Sequence, residues 1–118
     1  MKTSTFRRIA QLLFWPAVAL TLVGALGPPS RVAGLIPWDK AEHFLAFYCL
    51  TLLAVVAFPT RPPVWIGLTL SAFGGLIEIV QGLPFVHRDA DWRDWIADSV
   101  AIAAVFLVMA AVRIRRSE

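Results

Sequence analysis

Residues 64–83, VWIGLTLSAFGGLIEIVQGL, decide the fold: 20 residues with a single charge, Glu78. At about 1.5 Å per residue, such a stretch coiled as a helix covers the ~30 Å hydrocarbon core of a bilayer. Working outward, three further apolar runs follow the same logic: Ile9 to Gly27, His43 to Phe58 and Trp95 to Val112. The run at 43–58 is short and needs its flanking residues to cross. Helices are therefore expected over approximately 9–27, 41–59, 63–83 and 93–112.

Composition agrees. Of 118 residues, 58% are hydrophobic and 16% charged, with a mean hydropathy of +0.71, whereas soluble domains carry about 25% charge. The expectation is an all-α, polytopic membrane protein: one transmembrane domain over 1–118, built as a four-helix bundle with no room for a soluble domain. A rival reading of the first run is a secretory signal, since Lys2, Arg7 and Arg8 precede it. Pro28 and Pro29 directly after Gly27 oppose cleavage, so the run is kept as a helix, with Pro16 inside it.

Arginine and lysine set the orientation. With both termini cytoplasmic, the inner side collects seven (Lys2, Arg7, Arg8, Arg61, Arg113, Arg115, Arg116) against four outside (Arg31, Lys40, Arg88, Arg93). This topology leaves the outer side acidic. A pI near 9.8 reflects basic residues at membrane edges, where anionic lipids attract them. No basic groove with interleaved aromatics is present, which excludes a nucleic-acid partner. Trp38, Trp65, Trp92 and Trp95 fall where interfacial aromatics belong, and Trp15 does not. The single Cys49 says nothing of redox compartment.

The same topology gathers the unusual polar residues. Asp39, Lys40 and His43 open helix 2; Glu78 and Gln81 close helix 3; Asp94 and Asp98 open helix 4; His87 and Arg88 lie in the connector between the last two. Ionisable residues in membrane segments are costly and face a bundle interior or a cavity, so these mark a shared site at the outer face. Spacing supports this. Ser71, Gly74, Glu78 and Gln81 share one helical seam, and Asp91, Asp94, Asp98 and Ala101 another. Gly67, Ser71 and Gly75 follow a small-xxx-small pattern that permits close helix approach.

Taken together, Asp39-Lys40-x-x-His43-Phe44, then Glu78-x-x-Gln81, then Arg88, then Asp94-x-x-x-Asp98, resemble the VanZ-like family of small bacterial membrane proteins. The resemblance spans roughly residues 38–104. It implies a multi-pass protein of the bacterial cytoplasmic (inner) membrane and a part in glycopeptide susceptibility, since the founding member is associated with teicoplanin resistance. Phe47 stands where relatives often have Tyr, Asp98 where many have Asn, and Ala101 where many have Gly.

Three function classes are consistent with these residues. The favoured one binds an anionic envelope lipid or lipid-linked cell-wall precursor: Lys40 and Arg88 supply cation, Gln81 hydrogen bonds, and Asp39, His43, Glu78, Asp94 and Asp98 complete the site. The second is an enzyme on a lipid phosphate or acyl group, with His43 as general acid/base oriented by Asp98 or Glu78, and Arg88 at a developing oxyanion. The third is a structural or proton-coupled subunit. Plainer roles stand beside these: Asp39 as a helix N-cap, Glu78 in an ion pair with Arg88 or Lys40, and Lys40 and Arg93 reaching headgroups. No nucleophile stands out, since Ser99 is offset from the seam, Ser71 deep and Cys49 mid-membrane. A metal ion on His43, Glu78, Asp94 and Asp98 is disfavoured by the nearby arginine and lysine, so neither metal nor cofactor is expected. Membrane lipids are the expected partners; protein partners are not legible.

Overall fold

The computed structural model of the chain describes residues 3–26, 39–85 and 91–117. Four helices follow one another: α1 (Thr3–Leu26), α2 (Asp39–Ala57), α3 (Pro63–Gln81) and α4 (Trp92–Ser117). Three of them are long and apolar enough to cross a membrane, namely α1, α3 and α4. Within α2, the described side chains give a shorter apolar helix, Glu42–Ala57.

The outer two helices run further than their apolar stretches. α1 begins six residues before Ile9 and α4 continues five past Val112, since apolarity marks the length immersed in hydrocarbon while backbone hydrogen bonding continues into the polar turns. Pro16 sits inside α1 without ending it. α3 begins after Pro62 with Pro63 at its first helical position, where the missing N–H costs nothing. It ends at Gly82, whose N–H is shared among the last carbonyls.

Each helix buries one stripe at three- and four-residue spacing: Ala10, Phe14 and Ala25 on α1; Phe47, Leu50, Ala54 and Ala57 on α2; Ile66, Leu70, Gly74 and Ile77 on α3; Asp98, Ala101, Ile102 and Val105 on α4. The opposite faces expose large apolar groups, Leu12, Leu20, Val64 and Leu107 among them. A water-soluble bundle would carry charge there; lipid is the solvent this surface suits.

Contacts across the bundle define the helix directions. Gln11 Nε2 donates to the Ala57 carbonyl at 2.8 Å, joining the start of α1 to the end of α2. Gln81 Nε2 donates to the Ala25 carbonyl at 2.8 Å, joining the ends of α3 and α1. Ser71 and Ser99 hydroxyls meet at 3.0 Å, and Trp95 Nε1 donates to the Ser71 carbonyl at 3.0 Å, setting α3 against α4. The helices thus alternate in direction, and the first and last ends of the bundle lie together. α2 is wedged between α1, α3 and α4, whereas α1 and α4 do not pack on one another among the described residues. At the basic end, Arg7, Arg8, Gln11, Phe58 and Arg61 line a cavity of about 300 Å³.

Candidate functional site

At the opposite end the polar residues converge. His43, in the second turn of α2, lies with Nδ1 3.1 Å from Asp98 Oδ1 and Nε2 3.5 Å from Asp94 Oδ2. Both carboxylates come from one face of α4, four residues apart, which is why one imidazole reaches the two. All three side chains are enclosed: His43 retains 10% exposure, Asp94 5% and Asp98 none.

The position of α4 is fixed by its first residues. The Asp91 side chain accepts the Arg93 N–H at 3.0 Å, and its carbonyl accepts the Asp94 N–H at 2.8 Å. Asp91 is therefore the helix N-cap. Its own N–H, unused by the helix, donates to Glu78 Oε2 at 2.8 Å. That bond locks the end of α3 to the start of α4. Glu78 Oε1 is buried and has no hydrogen-bond partner among the described residues. One ligand atom each from His43, Glu78 and Asp94 lies within 4.8 Å of the others.

Gly74 makes room for this arrangement. A Cβ there would meet Asp98 Oδ2 at 2.7 Å and Phe47 Cζ at 3.3 Å, so the bare backbone of α3 is what admits the Asp98 carboxylate between helices. Gly75 faces Trp95 at ordinary contact distance, and Gly67 faces Phe106 at 3.1 Å.

Of the residues expected at the site, the structure brings together His43, Glu78, Asp94 and Asp98. Gln81 serves another purpose: fully buried, it spends its amide on the Ala25 carbonyl, one of the groups a helix end leaves unsatisfied. Asp39 and Lys40 are the first two residues of α2, but the expectations for their side chains, and those for His87 and Arg88, lie outside the described residues. Arg93 is exposed and stands 6.0 Å above the Trp92 ring. Asp91 and the Ser71–Ser99 pair were not marked as site residues in the sequence. Asp91 was legible as an Asp just before an apolar run with Asp94 three residues on; the serine pair had no such signal, because Ser99 is offset from the acidic seam.

Chemically, the cluster opposes three carboxylates to one imidazole in a poorly hydrated place. Nδ1 faces Asp98 and Nε2 faces Asp94, so both ring nitrogens are held by carboxylates of α4. No protein-family model, curated protein or solved structure matches this chain.

Proposed function

We propose that the chain is a membrane protein with four crossings and both termini in the cytoplasm, whose polar end faces outward and binds the anionic headgroup of an envelope lipid or lipid-linked cell-wall precursor. The observation that carries this reading is the gathering of His43, Glu78, Asp94 and Asp98 at one end of a bundle whose core is mostly apolar. The segment joining α3 to α4 at that end carries Arg88 in its sequence, and α2 begins there with Asp39 and Lys40. Carboxylates that anchor cationic side chains leave their remaining donors to a phosphate. The resemblance to VanZ-like proteins of the bacterial cytoplasmic membrane agrees with this assignment, and with an effect on glycopeptide susceptibility exerted through the precursor.

The test is lipid retention. Arg88→Ala, folded as the parent by circular dichroism, loses a charge-assisted contact worth roughly 1.5–3 kcal/mol, about ten- to a hundredfold in affinity. Purified parent and variant are compared for bound anionic lipids and lipid-linked precursors by mass spectrometry. Equal retention in the two proteins refutes the headgroup reading.

A further inference from the structure

We propose that His43 Nε2, Asp94 and Glu78 form a binding site for one divalent transition-metal ion of the Zn²⁺ or Mn²⁺ type. Three separate helices supply the donors, and their ligand atoms already lie within 4.8 Å of one another. The 3.5 Å between His43 Nε2 and Asp94 Oδ2 matches the edge of about 3.4 Å expected between two ligands held at roughly 2.1 Å on a tetrahedral ion.

Two independent features aim the donors inward. Asp98, at 3.1 Å from Nδ1, accepts a hydrogen bond from the Nδ1–H tautomer and so leaves the Nε2 lone pair directed toward Asp94. A carboxylate behind a histidine in this way orients metal-binding imidazoles and raises their basicity. Glu78 is more than nine-tenths buried, its Oε2 is held by the Asp91 N–H, and its Oε1 has no hydrogen-bond partner among the described residues. An anionic oxygen left so in a dry setting is costly unless a cation or a proton meets it.

The imidazole favours a transition ion over Mg²⁺ or Ca²⁺, which take oxygen ligands. Among the described cations near this end, Arg93 is exposed over Trp92. This inference stands on the geometry of the cluster and not on the headgroup reading.

The experiment uses the full chain in detergent, purified without a histidine tag and stripped by chelator. Zn²⁺ uptake is followed by competition with a chromophoric chelator and by elemental analysis. The parent is expected to take one equivalent. Glu78→Gln and Asp94→Asn should each lose at least about tenfold in affinity, and Asp98→Asn about ten- to a hundredfold while keeping all three ligands. Should a variant fail to fold, the parent still decides: Mn²⁺ bound to it should show spin-echo modulation from an imidazole nitrogen, retained in His87→Ala. No stoichiometric uptake of either ion, uptake unaltered by Glu78→Gln and Asp94→Asn, or Mn²⁺ without the nitrogen signal overturns the proposal. Lipid retention is measured on the same samples. Retention without metal uptake removes the metal site alone, and uptake without retention removes the headgroup reading while supporting the metal site.

Discussion

A methyl group added at Gly74 would stand 2.7 Å from Asp98 Oδ2 and 3.3 Å from the Phe47 ring. Neither neighbour has room to give way, since both are almost wholly buried. Gly74→Ala is therefore expected to cost about 1–3 kcal/mol through overpacking and to push Asp98 off His43. Gly75→Ala, facing Trp95 at 3.5 Å, should be neutral or gain up to about 1 kcal/mol from helix propensity. Thermal unfolding of both in detergent checks the contrast; a Gly74→Ala protein that melts with the parent would mean that Asp98 is not wedged against α3. The seam containing Gly74 is visible in the sequence, but the tightness at this glycine is not. It depends on which residue of α4 arrives opposite it.

Between elements, α3 and α4 are joined by short-range polar contacts set among apolar ones. The Ser71 and Ser99 hydroxyls share one bond at 3.0 Å, and Trp95 uses the Ser71 carbonyl, not its hydroxyl. Ser71→Ala and Ser99→Ala should each lower stability by about 0.6 kcal/mol, the usual worth of an interhelical bond in a membrane bundle. Because they remove the same bond, the double variant should lose little more than either single one. Full additivity in a double-mutant cycle would show that the hydroxyls act separately. The helices themselves were readable from apolar runs, to within a few residues at most ends. The start of α1 and the end of α4 were not, because their polar extensions obey backbone hydrogen bonding and not burial.

Across the whole molecule, the alternation of helix direction puts Thr3 and Ser117 at the basic end and the His43 cluster at the other. Under the proposed topology, the positive-inside rule puts the basic end in the cytoplasm. In a Cys49→Ser background, a cysteine at Phe85, an exposed residue just beyond α3, should react with an impermeant maleimide in intact cells. One at Thr60, exposed in the turn between α2 and α3, should react only after lysis. The reverse pattern would invert the topology and place the cluster on the cytoplasmic side.

What the sequence by itself determined is what local chemistry dictates: apolar length demands helices, the arginine and lysine distribution suggests their alternation, and costly ionisable residues betray a site before any contact is known. His43, Glu78, Asp94 and Asp98 were legible on that ground. Only the tertiary structure decided how they meet, that Asp98 stands behind His43 while Asp94 and Glu78 stand before it, that Gln81 ties α3 to α1, and that Asp91 joins the cap of α4 to Glu78. The reason is physical: periodicity specifies a face of each helix, but the rotation and depth at which faces meet are set by side-chain volumes on two helices at once.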